Sequence, residues 1–561
     1  MAFKTFYDLV RTSIEKFSDR VAFSMLDGEE LTFKEVGNRI EKLQETLTSA
    51  GLKAGDKVAL YSSSMPNWGV SYFSVVTAGM VVVPILPGFS GEEVAKILDH
   101  SESKALLVSD KLYTQIPKEA IEKLNIVVRT KNLKVLTQKV TEQGSMAIPQ
   151  PSDLASIIYT SGTTSSPKGV MHTHEALSLH ADLCQKLFPI HEGDSFLSVL
   201  PMSHVYECSL GLIFPFSQGV PVYYLDRPPV ASVLVPAMNR VKPTIMLVVP
   251  LIVEKIFRSQ VLSKFTANKA LAMAYKLAPV RKLLHKVAGK KLYEVFGGQL
   301  RFLGIGGAKL DAQTERFLIE GGMPHGIGYG LTETAPLLAG AVPMKKEVGS
   351  TGPAVPYVEL RLDNINPKTK QGEVVAKSPC CMVGYYKNPE ATAEVIDADG
   401  WFHTGDLGQF DKEMRLHIKG RLKNMILGPG GENIYPEDIE SVLSEHACIE
   451  EALVTEQQGR LVAFVHFNAE QLERQLADWR AEWKTKQEAI EAKSKQLCTE
   501  IQEYVNQKVN KFSHLSEVIE LKEEFIKTPS MKIRRFLYNN LKTLNQIREG
   551  KGSMISLYVL K

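Results

Sequence analysis

Residues 154–169, LASIIYTSGTTSSPKG, hold the parts needed to grip a polyphosphate. A short apolar run (Leu154, Ala155, Ile157, Ile158) reads as a buried strand. It opens into a stretch of glycine, serine and threonine that closes on Pro-Lys-Gly. Thr160, Ser161, Gly162, Thr163 and Thr164 offer backbone N–H groups and hydroxyls to phosphate oxygens, and Lys168 supplies one fixed cation. Gly162 and Gly169 can take dihedrals closed to other residues. The spacing is not that of the P-loop G-x-x-x-x-G-K-[ST], because no glycine precedes Lys168 and a glycine follows it. A polar surface turn has the same composition, so other strings must decide.

Four further strings carry chemistry. In IGYGLTETAP (327–336), Tyr329 offers a face on which a purine can stack. Thr332 in the same string offers a hydroxyl to phosphate, and Glu333 a hard oxygen for a magnesium ion bridging phosphates. In GWFHTGDLG (400–408), Asp406 is expected in a glycine-flanked turn after a hairpin, an acceptor-only carboxylate suited to two ribose hydroxyls. LPMSHVYE (200–207) puts His204 at the C-terminal end of a strand, where α/β sheets gather ligands; alone, such a histidine is more often structural. LRFLGIGGAKL (300–310) ends a strand in Gly304, Gly306 and Gly307, but Lys309 stands where a dinucleotide fingerprint needs its third glycine. On spacing alone Lys532, in FIKTPSMKIRRFLY (525–538), is one more surface lysine.

Together, in this order and over nearly the whole chain, these strings resemble the ATP-dependent adenylate-forming enzymes: acyl-CoA synthetases, firefly-type luciferases and peptide-synthetase adenylation domains. The phosphate loop departs at Ser165, where glycine is commoner, and the adenine-side turn Gly306, Gly307, Ala308 has Lys309 in place of proline. LPMSHVYE looks most like the long-chain fatty-acid members, in which the motif borders the carboxylate pocket. The resemblance assigns Tyr329 to adenine, Asp406 and Arg421 to ribose, Glu333 and Thr164 to the metal, and Lys532 to the α-phosphate as catalytic lysine. GRLKNM (420–425) then marks a hinge at Lys423 between a large unit, residues 1–420, and a small mobile unit, residues 421–561. GPGGENIYPEDIE (428–440) would bring the glycine turn of Gly430 and Gly431 to the coenzyme A side. The fold implied is α/β: helix-covered, parallel-type sheets plus a small distorted β-barrel, followed by a small α+β domain.

The elements that must position these strings are legible by period. Phe6, Val10, Ile14 and Phe17 share one helical face, as do Val36, Ile40, Leu43 and Leu47, a helix that Gly51 ends. Strand VALYS (58–62), an apolar helix over 68–78 and strand VVVPILP (81–87) follow in the order of a parallel sheet. Leu177, Ala181, Cys184 and Leu187 predict a helix directly after the phosphate loop. The apolar runs 210–216 and 245–253 suit an acyl channel or plain core. Residues 469–511, with Leu472, Leu476, Trp479 and Trp483 at helical spacing, read as exposed amphipathic helix.

Composition narrows the class. A formal net charge of +3 argues against a dedicated nucleic-acid binder. Six scattered cysteines lack metal-ligand spacing and fit a reduced, cytoplasmic setting. No run reaches the ~18 apolar residues of a spanning helix, and the N-terminus lacks a signal-peptide apolar core. Between 254 and 301 eleven basic residues face only Glu254 and Glu294, either a solvated face or a surface for anionic lipid or coenzyme A phosphates. The expected reaction joins a medium- to long-chain fatty acid to AMP at the expense of Mg·ATP, then transfers the acyl group to coenzyme A. A carrier-protein thiol, another acid, or a nonenzymatic sensor that kept the fold are the alternatives.

Overall fold

The structure is a computed structural model that describes residues 3–160, 167–265, 269–341, 347–428, 432–446, 448–468, 486–529 and 532–539. Two eight-stranded sheets form most of it. The first runs Gly384–Tyr385, Lys168–Thr173, Leu154–Thr160, Val81–Pro84, Lys57–Tyr61, Ser103–Val108, Ile126–Arg129, Lys134–Gln138. Its middle strands are parallel and its outer ones antiparallel. The second runs Leu337–Gly340, His325–Gly330, Phe302–Ile305, Ile245–Val248, Phe196–Ser198, Val222–Tyr224, Val21–Met25, Glu30–Thr32, again parallel except at the ends.

Helices fill the space between the sheets. Every residue of Pro66–Thr77 is buried, and Pro66 starts that helix where a missing N–H costs nothing. Gly69 lets it touch the second sheet, since a Cβ there would lie 2.9 Å from the Phe23 ring. Phe6–Phe17 and Phe33–Thr48 turn their expected faces inward, the latter held by a Thr32–Glu35 capping box. One expectation is corrected: the helix His174–Leu187 does not follow the phosphate loop directly. Lys168–Thr173 comes first and pairs back on Leu154–Thr160, so the strands on either side of the loop are antiparallel neighbours.

Where a small distorted barrel was expected, the described residues form a four-stranded antiparallel sheet, Glu359–Asp363, Gly372–Lys377, Phe402–Phe410, Leu416–Arg421. Beyond it, Ile449–Gln457, Arg460–Phe467 and Glu517–Glu520 make a sheet backed by helices Pro436–Ser444 and Lys486–Lys508, with its own buried cluster around Leu443, Val465 and Ile501. Leu472, Leu476, Trp479 and Trp483 lie outside the described residues.

Candidate functional site

The phosphate hairpin pairs Thr160 with Lys168 and Tyr159 with Gly169. Ser161, Gly162, Thr163 and Thr164 lie outside the described residues, as do Gly430 and Gly431. Thr160 Oγ1 points back to the Lys168 carbonyl at 3.5 Å. The Lys168 ammonium sits 4.7 Å from the centroid of the Tyr385 ring. Tyr385 belongs to the edge strand Gly384–Tyr385, which pairs with Val170 and Met171 of the hairpin. Its hydroxyl donates to Glu333 Oε1 at 2.9 Å, tying hairpin to carboxylate.

Glu333 and Thr332 lie in a 3-10 turn, Thr332–Thr334. That turn is pinned twice more, by Met382 N–H to the Glu333 carbonyl at 2.8 Å and by His172 Nε2 at 2.7 Å from the Thr332 carbonyl. Because a carbonyl only accepts, Nε2 carries the proton. Burial lowers the His172 pKa to about 4, so the ring is neutral. Glu333 keeps Oε2 for a hard cation, and this fits a magnesium site.

Asp406 is not in a turn, as expected, but inside strand Phe402–Phe410, bent at Gly405 with φ +69°. The register sets Asp406 opposite Arg421, whose Nε lies 2.9 Å from Oδ1. Tyr329, ending strand His325–Gly330, donates its hydroxyl to Asp406 Oδ2 at 2.8 Å. Only 4% of Asp406 is exposed. Burial raises its carboxyl pKa, against the pull of Arg421, Tyr329 and Lys532.

Lys532 reaches the same place from the far end of the chain. Its backbone N–H donates to Thr528 Oγ1 at 3.2 Å, and its side chain is exposed to solvent, with the protein charges of the site around it. That surrounding lowers its ammonium pKa, first by desolvation and then by the Arg421 charge, while Asp406 and Glu333 oppose. Pro529 packs on Gly88, and Arg534 Nη2 lies 3.4 Å from Glu93 Oε1, docking the segment on the large sheets. Lys309, the departure in the Gly306–Gly307–Ala308 turn, pairs with Asp438 of helix Pro436–Ser444 at 3.0 Å. Lys423 is exposed in the 3-10 turn Leu422–Asn424.

His204 caps the short helix Val205–Glu207, its Nδ1 accepting from Tyr206 N–H at 3.2 Å. Burial, and secondarily Lys532, lowers its pKa to about 4, so Nε2 carries the hydrogen and can donate. Against Tyr206 of that helix lies a small apolar cavity of about 60 Å³. Leu210 and Phe214 from one apolar run, and Ile245 and Leu247 from the other, line it; the rest of those runs is largely core. Glu207 is buried beneath Gly211 and accepts from Ser198 Oγ, and burial pushes its carboxyl up to about 8.

Sequence reasoning missed Tyr385 and His172, single residues whose role exists only through strand pairing. It also took the basic stretch as almost without counter-charge. The structure supplies partners from elsewhere: Asp311 for Arg258 at 3.7 Å, Glu320 for Arg281 at 2.9 Å, Glu450 for Lys255 at 3.3 Å.

The chain is similar to several known proteins. A long-chain-fatty-acid–[acyl-carrier-protein] ligase of Arabidopsis thaliana is 29% identical over 83% of this chain and 77% of its own. A long-chain-fatty-acid–CoA ligase of Mycobacterium bovis is 28% identical over 77% and 76%. Among solved structures, the O-succinylbenzoate coenzyme A synthetase of Bacillus subtilis, in complex with ATP and magnesium, superposes with a TM-score of 0.74. It is 22% identical and covers 96% of this chain and 99% of that one, a likeness of fold. Residues 10–386, about two-thirds of the sequence, match the AMP-binding enzyme family, and the chain belongs to it.

Proposed function

We propose that this enzyme activates a medium- to long-chain fatty acid as its acyl-adenylate and transfers the acyl group to coenzyme A. The observation that carries the reading is an apolar cavity beside the Glu333–Asp406–Arg421–Lys532 cluster, sharing strand His325–Gly330 with Tyr329. A carboxylate oxygen of the acid attacks the α-phosphorus of ATP, and the bond to the β-phosphate oxygen breaks, releasing pyrophosphate. The thiolate then attacks the acyl carbon, and AMP leaves with the electron pair of the broken C–O bond.

Side chains here position and neutralise rather than bond covalently. Thr160, Ser161, Gly162, Thr163, Thr164 and Lys168 cradle the β- and γ-phosphates, with Thr332 beside them. Tyr329 and the Gly306–Ala308 turn flank adenine, and Asp406 with Arg421 holds ribose. Neutral His204 donates from Nε2 toward the acid's carboxylate. Lys532 neutralises charge gathering on the α-phosphate and steers the acid, two anions that otherwise repel. Glu333 and Thr164 would hold magnesium, which supplies positive charge to the phosphates. Residues 1–420 and 421–561 move about Lys423, and the second step brings Gly430 and Gly431 toward coenzyme A.

Among the described residues no helix is long and apolar enough to cross a membrane. Helix Ala278–Val295 exposes Lys282, Lys286, Lys290 and Lys291 beside Leu283 and Val287, which are 64% and 54% exposed. Lysines around exposed aliphatics suit an anionic lipid surface, to which a fatty acid partitions. Sedimentation with acidic vesicles should fall steeply with salt and with Lys-to-Glu changes at these four positions; salt-insensitive binding, or none, rejects it.

Acid-dependent ATP–pyrophosphate exchange over a panel of carboxylic acids tests the main reading. Exchange faster with acetate, benzoate or an amino acid than with any fatty acid from octanoate upward would falsify it. Adding coenzyme A or a phosphopantetheinylated carrier protein to the preloaded enzyme then decides the acceptor; the carrier-protein ligase among the relatives makes that arm necessary.

A further inference from the structure

The apolar cavity owes its existence to missing side chains. On parallel strands residues two apart face the same way, so Gly304 and Gly306 continue the face begun by Phe302. The register sets Gly304 beside Gly326, and Gly328 pairs with Gly340 on the antiparallel edge strand. Glycines thus strip one face of three adjacent strands and leave a furrow along them. A Cβ at Gly306 would lie 3.1 Å from the Tyr206 ring, and one at Gly304 would lie 3.2 Å from Tyr206 Oη, so Tyr206 covers the end nearer the nucleotide site.

The far end is shut by aromatic rings. A Cβ at Gly326 would lie 2.7 Å from Phe302 Cε2, and one at Gly304 would lie 3.2 Å from Phe302 Cε1, so the Phe302 ring lies across the furrow. Phe188, just past helix His174–Leu187, stacks on it with centroids 4.7 Å apart and planes 26° apart. Arg301 covers the outer face of Phe188 at 5.3 Å and is itself fixed by Asp194. Both phenylalanines are only part-buried, so solvent lies behind the stack.

We propose that the Phe188–Phe302 stack is the end stop that sets the longest acyl chain this enzyme accepts without penalty. The inference rests on the fatty-acid reading above and adds to it a measuring device. Methylenes added to the substrate are buried one after another until the chain meets the stack; beyond that point the rings must move or the chain must bend. Removing one ring opens the furrow to the surface, and filling a floor glycine shortens it.

The test is a profile of kcat/KM against saturated acids from eight to twenty carbons, for wild type, Phe302→Ala, Phe188→Ala and Gly304→Val. In the wild type, kcat/KM should climb by about fourfold per methylene, the worth of burying one CH₂, and then break. Both alanine variants should move the break to longer acids while leaving the slope below it unchanged. Gly304→Val should move it to shorter ones. A gain on long acids cannot arise from misfolding, and Phe188→Ala keeps the test alive should Phe302→Ala be unstable. A wild-type climb with the break unmoved in every variant overturns the end stop and leaves the fatty-acid reading standing. A wild type with no climb overturns both.

Discussion

The ribose assignment can be worked from lone pairs. An ionised carboxylate has about four acceptor sites. In Asp406 the Tyr329 hydroxyl takes one on Oδ2, while Arg421 Nε pairs with Oδ1 at 2.9 Å by charge. At least one site stays open on each oxygen, enough for two ribose hydroxyls that each donate once. A hydrogen bond to a charged acceptor is worth ~1.5–3 kcal/mol, so each hydroxyl should be worth roughly 10- to 150-fold in kcat/KM. Wild-type enzyme should therefore use 2′-deoxy-ATP and 3′-deoxy-ATP that much worse than ATP in pyrophosphate exchange. Asp406→Asn keeps the volume but loses the charge, and its NH₂ must face Tyr329 or Arg421. In that variant all three nucleotides should react slowly, and the preference for ATP should shrink to a few-fold. Comparing nucleotides on one variant cancels any general damage from leaving Arg421 unpaired, the virtue of a double-mutant cycle. Discrimination that survives undiminished in Asp406→Asn refutes the assignment.

Other outcomes are expected on the same footing. Lys532→Ala should slow adenylation by about a hundred- to a thousand-fold, the scale of one lost charge-stabilising donor. Given ready-made acyl-adenylate, it should still form thioester near the wild-type rate. Lys423→Pro should do the reverse, because proline fixes φ; equal loss of both half-reactions in Lys532→Ala rules out alternation about the hinge. Tyr385→Phe deletes the hydroxyl on Glu333 and should raise the magnesium needed for half-maximal exchange by about tenfold, near 1.4 kcal/mol, a shift that titration calorimetry of Mg·ATP reads independently. Glu207 is a stability titrator, with its carboxyl raised from 4.5 to about 8 by burial. Below pH 4.5 it is protonated folded or unfolded and costs nothing; above that only the unfolded chain releases the proton, so stability falls until pH passes 8. The drop should be at most about 5 kcal/mol. It should vanish from Glu207→Gln in denaturant melts at pH 5 and pH 8, and equal pH dependence in both proteins refutes it.

Sequence patterns made the strands and helices around the site legible because their periods are local. Leu154, Ala155, Ile157 and Ile158 marked a buried strand, and the faces of Phe6–Phe17 and Phe33–Thr48 lie inward as spaced. What stayed hidden depends on pairing across long separations. Gly405 and Asp406 read as a turn, yet strand Leu416–Arg421 pairs alongside and absorbs the bend. Tyr385 had no chemical signal of its own until its strand joined the hairpin. Arg258 and Arg281 looked uncompensated because their partners stand far along the chain. The repeated Gly-Ile-Gly at 304–306 and 326–328 was visible in the sequence, and only the in-register alignment of the two strands turns it into a furrow.

The strand Gly384–Tyr385 also has a consequence for synthesis. It completes the edge of the phosphate hairpin from roughly 215 residues downstream of Lys168. At ~5–20 residues per second, a ribosome takes about 10–40 s to deliver it. Throughout that interval the nascent hairpin presents the unpaired edge of Lys168–Thr173, a template for a neighbouring chain on the same polysome. Glu333 meanwhile lacks the tyrosine that orients it, and Arg421 and Lys532 are still to come. A chain that stops short of residue 384 is left with a sticky edge, a substrate for chaperones and proteases. Nucleotide competence therefore waits until Arg421 and Lys532 have been made.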